Sequence, residues 1–166
     1  MMHLLIQDKR VPETPLHLRI LAILLLALPG LFYLYPSSSG PDIKIIPLYI
    51  GSQKFTVEIA DTPEKQVTGL MYRESIPGDF GMLFIYGNED YRGFWMKNCL
   101  VSLDLIYLDR HKQVIDLHLN VPPCKKAPCK TYRSEQPAQY VLELRGNRAK
   151  ELNLKLGDTV FFILPK

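Results

Sequence analysis

The sequence predicts a mainly β fold of the α+β class: a compact antiparallel β-sandwich or partly open barrel with two short helices, preceded by an N-terminal hydrophobic helix. Three observations carry that reading. From residue 42 onward, short runs rich in Val, Ile, Leu and aromatic residues recur between turn-forming residues, as many short strands require. Only "DTPEKQVTGLM" and "NRAKELNL" carry helical signals in that region. Finally, the run Ile20–Tyr35 holds no charge and has no polar face, so it stands apart from the strand-rich remainder.

Taken in order, residues 1–35 read as a signal-anchor or a signal peptide. Lys9, Arg10 and Arg19 precede "ILAILLLALPGLFYLY", and with Leu16–Leu18 a helix rising 1.5 Å per residue just reaches across a bilayer core of about 30 Å. Pro29-Gly30 would kink such a helix, a defect that membranes tolerate. Tyr33 and Tyr35 suit the interfacial belt, and the basic residues on the amino side predict a cytoplasmic N-terminus with the remainder exported. Cleavage near Ser37–Ser39 would instead release the protein, but the long leader and the lack of an Ala-x-Ala site favour retention. Residues 36–41, "PSSSGP", read as a linker, and 42–166 as the exported β domain. The expected setting is periplasmic or extracytoplasmic, held at the inner membrane by the N-terminal segment.

Within the domain, "IKIIPLYI" is an apolar strand that Pro47 demotes to an edge or breaks. "KFTVEIA" alternates, with Phe55, Val57 and Ile59 on one face. Asp61 or Thr62 then caps a short helix with Pro63 in its first turn and Val67, Leu70 and Met71 as its apolar stripe. "GMLFIY", "GFWM", "LDLIYLD" and "QVIDLHLN" read as four strands, the last two forming a hairpin through "DRHK". In "LDLIYLD" both faces are apolar enough to be covered. Val121–Gln136 reads as an irregular loop, followed by the strand "YVLEL", the helix "NRAKELNL" and the closing strand in "GDTVFFIL".

A hydrophobic fraction of 47% with 22% charged residues excludes wholesale disorder. The net charge of +3 lacks the concentrated basic face that nucleic acid requires, so no nucleic-acid partner is expected, and no motif calls for a cofactor.

The stretch richest in chemistry is "RGFWMKNCLVSLDLIYLD", which holds the chain's single Trp. On a strand, Trp95 and Lys97 would share one face, with Met96 and Asn98 on the other. Trp is a flat apolar wall, Lys a point charge, and Asn a paired donor and acceptor, a set suited to a sugar or a small anion. Asp104, Arg73 and Glu74 are candidate neighbours. The structural alternative makes Trp95 a core residue and pairs Lys97 with Asp104 to fix a strand crossing. Met71, Met82, Met96, Cys99 and His118 could be read as soft metal ligands, but no tight spacing supports this, and no metal is expected.

Cys124 and Cys129 in "CKKAPC" are close in sequence and form a natural disulfide pair in an oxidising compartment. Lys125 and Lys126 would lower a thiol pKa there, which keeps a redox-active pair open, although the spacing is not C-x-x-C. Cys99 is left over as a buried thiol. Lys125, Lys126, Lys130 and Arg133 give this loop a cationic rim.

"VEIADTPEKQVTGLMYRESIP", "GMLFIY", "FWMKNCLVSLDLIYLD", "VPPCKKAPC" and "AQYVLELRGNRAKELNLKLGD" follow one another between Val57 and Asp158. In that order they resemble the DUF192 family, also called UPF0127. The resemblance implies a compact, mostly antiparallel β domain, often exported in bacteria, and no established function. The family pattern resembles F-W-M-K-N-T, so Cys99 stands where a Thr is expected. The function expected from these readings is a non-catalytic module that binds a small polar ligand or an envelope glycan through Arg73, Trp95, Lys97, Asn98 and Asp104. The alternative is a hydrolase of envelope carbohydrate using Asp104 or Glu74 as acid or base.

Overall fold

A computed structural model describes residues 43–165; the leader, its apolar run and the linker lie outside the described residues. The elements run β1 (Ile45–Ile50), β2 (Gln53–Ala60), α1 (Pro63–Thr68), β3 (Phe80–Asp90), β4 (Gly93–Trp95), β5 (Leu103–Leu108), β6 (Val114–Val121), β7 (Thr131–Arg133), β8 (Ala138–Arg145), α2 (Arg148–Glu151) and β9 (Val160–Phe162). Seven strands form one curled, half-barrel sheet in the order β6-β5-β8-β3-β2-β1-β9, and β4 with β7 forms a separate two-stranded ribbon. The fold is therefore mostly β with two short helices, as expected, but it is not two stacked sheets. Nor is it wholly antiparallel. β2 and β3 pair in parallel, from Thr56 opposite Phe80 to Ala60 opposite Phe84. Parallel neighbours need a crossover, and the segment containing α1 supplies it.

Successive residues of a strand face opposite sides of the sheet, and both sides here are covered. Ile46, Leu48, Phe55, Val57, Leu83 and Leu142 belong to one apolar cluster. Met82, Phe84, Phe94, Met96, Leu105 and Val141 belong to the other. Leu83 lies opposite Leu142 and Phe84 opposite Val141, so β3 and β8 feed the two cores in alternation. This double coverage explains why every residue of β5, "LDLIYL", is buried.

Pro47 does not break β1. The Ile59 N–H donates to the Lys44 carbonyl, which sets the even-numbered residues of β1 to bond with β2 and turns Pro47 towards the other edge. There β9 pairs only with Leu48 to Ile50. The missing N–H of Pro47 thus falls where β9 does not reach, and costs no ladder bond.

The expected hairpin is present, with Leu103 opposite Val121 and Ile106 opposite Leu117. Asp109 Oδ1 closes its turn by accepting from the N–H groups of His111 and Gln113. In α1, Thr62 is the N-cap, and its Oγ1 accepts from the Lys65 N–H at 3.4 Å. The helix ends earlier than its predicted stripe: Val67 is exposed, and Leu70 is buried beyond the last turn. Residues 121–136 are less irregular than expected, because they contain β7, too short at three residues to show a period.

Candidate functional site

Alternation along β4 and the turn that follows sorts the central stretch. Phe94 and Met96 are buried, while Trp95 is 46% exposed and Lys97 is exposed. Trp95 is therefore not a core residue, which corrects the structural alternative. Its own neighbours explain this: Phe94, edge-on to Phe84 at 4.8 Å, already fills the core side of the strand. The Lys97 ammonium stands 5.2 Å from the Trp95 ring centroid, at cation–π range.

The next residue turns the chain. Asn98 adopts φ +58°, a conformation that Asn reaches more readily than most residues. Its carbonyl accepts from the Tyr72 N–H at 2.9 Å, and its side-chain amide donates to the Tyr72 hydroxyl oxygen at 2.7 Å. Asn98 thus fastens the turn to the segment after α1. The Met96 carbonyl accepts from the N–H groups of both Cys99 and Cys124, which seats the cysteine loop against this turn. The expected bridge between Cys124 and Cys129 is present, and Cys99 is free and buried.

These parts enclose an open groove of about 480 Å³. Trp95, Asn98 and the disulfide loop form its walls, and Lys97, Lys125 and Lys126 are its charged residues. No carboxylate lines it. The remaining cations of the loop are spent elsewhere: Lys130 lies over Tyr132 and Arg133 over Tyr91.

Trp95 is also a wall of a second, smaller cavity of about 30 Å³. Gly69 and Leu70 line it from beyond α1, Phe84 and Phe94 from the core, together with Cys99 and Glu143. Glu143 comes from the middle of β8 and is only 5% exposed. Its Oε2 has no hydrogen-bond partner among the described residues. Burial pushes its carboxyl up to about 8, while a hydrogen bond from the Leu70 backbone and the nearby Arg73 guanidinium act in the opposite direction. Cys99 is pushed up to about 11 by burial and by the Glu143 charge, so it is a thiol and not a nucleophilic thiolate.

The remaining expected site residues lie elsewhere. Arg73 makes a two-point ion pair with Glu58, at 3.1 and 2.6 Å, and lies over the Phe80 ring. Asp104 is fully buried and accepts three backbone N–H groups: those of Asn120 and Asn147 at Oδ1, and that of Ala149 at Oδ2. Asn147, the residue preceding α2, makes no side-chain cap bond, so Asp104 caps that helix from β5. The expected ion pair between Lys97 and Asp104 does not form, because Asp104 is fully buried against three backbone amides while Lys97 stays exposed. Glu74 is exposed. Among the described residues no group of three or more His, Cys, Asp or Glu is placed to hold a metal ion. Met82 and Met96 are buried in the core, with Met71 packed against it.

Of the expected residues, Trp95, Lys97 and Asn98 line one groove, whereas Arg73 pairs with Glu58 and Asp104 caps α2; Glu143 was not among those expected. A signal for Glu143 was present: an acid flanked by Leu142 and Leu144 in an otherwise apolar strand is a buried charge in waiting.

The DUF192 family, described as "Uncharacterized ACR", matches residues 47–162. A UPF0127 protein of Pyrococcus abyssi is 34% identical over 112 residues, which cover 64% of this chain and 86% of that protein. A UPF0127 protein of Thermococcus sibiricus is 29% identical over 106 residues, covering 63% of this chain and 64% of its own length. Among solved structures, a Sinorhizobium meliloti 1021 protein provisionally described as a transcription regulator superposes with a TM-score of 0.64 at 32% identity, covering 72% of this chain and 93% of that one. A protein of unknown function from Novosphingobium aromaticivorans DSM 12444 gives 0.64 at 29% identity, covering 76% and 89%. Sequence and fold agree over the described sheet, and on that ground the chain belongs to the DUF192 family.

Proposed function

We propose that this DUF192 protein is a non-catalytic binding module that takes a small anionic ligand, such as an acidic sugar of the cell envelope, in the groove beside Trp95. One observation carries the reading: a half-exposed indole and three lysines line the same groove, and no carboxylate opposes them. The indole offers a flat face for a sugar ring, and the ammonium groups offer complementary charge. Asn98 contributes less than its chemistry suggests, since its amide donors are already directed at Tyr72 and Met71. An extracytoplasmic setting, with the apolar run of the leader as membrane anchor, is part of the same proposal. The disulfide supports it, because such bonds persist in oxidising compartments. The hydrolase alternative finds no support: both oxygens of Asp104 are occupied by backbone amides in a fully buried position.

Since Trp95 is the chain's single Trp, its fluorescence reports on the groove directly. Titration with sugar acids and sugar phosphates should give saturable changes that neutral sugars of equal size do not give. Lys97→Ala should weaken that binding at least tenfold while leaving the thermal transition within about 1 kcal/mol of the parent, as for other exposed charges. Equal responses to neutral and anionic sugars would sink the proposal.

A further inference from the structure

The cavity behind Trp95 carries an independent inference, drawn from a different set of groups than the groove. We infer that Glu143, with the rings of Phe84, Phe94 and Trp95, forms an internal subsite for a small primary ammonium group. Glu143 is only 5% exposed and its carboxyl draws on a single backbone donor, that of Leu70, yet its Oε2 has no hydrogen-bond partner among the described residues and the side chain helps to line the cavity. A buried polar atom of this kind is costly unless something meets it.

The walls select what can do so. No basic residue lines the cavity, and Gln66, the amide on its rim, already donates to the carbonyls of Ala60 and Ile85. Three aromatic rings and the Met71 side chain make up much of the remainder. Aromatic faces and a carboxylate together are the recognised surroundings of an organic cation. Arg73 is the one cation close enough to influence Glu143, and its charge is engaged at two points by Glu58. The size is restrictive. About 30 Å³ of free volume admits a water or a group of very few heavy atoms, so a methylammonium-sized tip fits and a quaternary ammonium does not. Gly69 keeps this space open, since a Cβ there would stand 3.2 Å from Phe84 Cζ and 3.5 Å from Glu143 Oε2. Its φ of +49° already favours glycine for a separate reason.

The test titrates the full-length protein with methylammonium chloride at pH 9, above the value of about 8 to which burial raises the Glu143 carboxyl, so that the carboxylate an ammonium group needs is present; Trp95 emission is the readout and potassium chloride the ionic-strength control. Methanol and tetramethylammonium chloride serve as neutral and oversized probes. The expected result is a saturable response to methylammonium alone. Glu143→Gln should weaken it at least tenfold, while Lys125→Ala, which removes a groove charge carried by the disulfide loop and not lining this cavity, leaves it unchanged. The Lys125 variant keeps this subsite distinguishable from the anion groove, because either can fail without the other. If Glu143→Gln fails to fold, the size and charge selectivity of the unaltered protein still decides the matter. A methanol response equal to that of methylammonium, binding of tetramethylammonium, or no saturable response would overturn the inference.

Discussion

Replacing Glu143 by Gln should remove a large pH dependence from the stability of the fold. The native carboxyl sits at about 8 because it is buried, against an ordinary value of 4.5. Between those two values the unfolded chain has released the proton while the native state still holds it. The native state then binds more protons, so stability falls as pH rises through this window. The contribution is fully present below about pH 4.5 and lost as pH rises through 8. At 1.36 kcal/mol per pH unit, carrying the group from 4.5 to about 8 corresponds to about 5 kcal/mol. Glutamine imitates the shape of the neutral acid and cannot ionise. The variant should therefore match the parent within about 1 kcal/mol at pH 5, where the parent carboxyl is neutral. At pH 9 it should be the more stable protein by several kcal/mol, approaching the 5 derived above. Chemical denaturation followed by Trp95 emission at pH 5, 7 and 9 measures both. The comparison cancels every other titrating group, because the two proteins differ at one position only. Curves that stay parallel across this range would refute the reasoning and place the Glu143 proton in contact with solvent.

Two further predictions concern the frame around the site. Asp104→Ala should destabilise the domain by at least about 3 kcal/mol in denaturant melts, since it strands three amides that the carboxylate now satisfies; a loss below about 1 kcal/mol would show that water replaces it. Non-reducing peptide mapping should find Cys124 joined to Cys129 and Cys99 unmodified, and a Cys124→Ser, Cys129→Ser double variant should lose about 2 kcal/mol, the chain-entropy expectation for so short a loop.

Local chemistry explains which features could be read from the sequence. The Thr62 cap, the Asp109 turn and the Cys124–Cys129 bridge depend on residues a few positions apart, so spacing exposes them. The exposed face of Trp95 and Lys97 follows from strand alternation over three residues. Asp104 was misjudged because its partners, Asn120, Asn147 and Ala149, lie 16, 43 and 45 positions away, and backbone amides leave no mark in a sequence. The parallel pairing of β2 with β3 was hidden for a related reason: an alternating strand has the same pattern whichever way its neighbour runs. Glu143 leaves a local trace, an acid between Leu142 and Leu144, but the cavity it lines is assembled from the end of α1, β3 and β4, which only the fold brings together.

The pairing of β1 with β9 has a consequence for how the polypeptide comes into being. Leu48 to Ile50 take their outer partners from Val160 to Phe162, more than a hundred positions later. A chain that emerges amino end first therefore displays β1 and β2 with an open edge for nearly the whole of its passage. Contacts so distant in sequence form slowly, and unpaired strand edges are the sites at which nascent chains associate wrongly. Pro47 lies on that edge and Lys44 immediately precedes the strand, and both kinds of residue discourage foreign strands. The same residues that complicate β1 as a strand thus guard it during the interval before its rightful neighbour arrives.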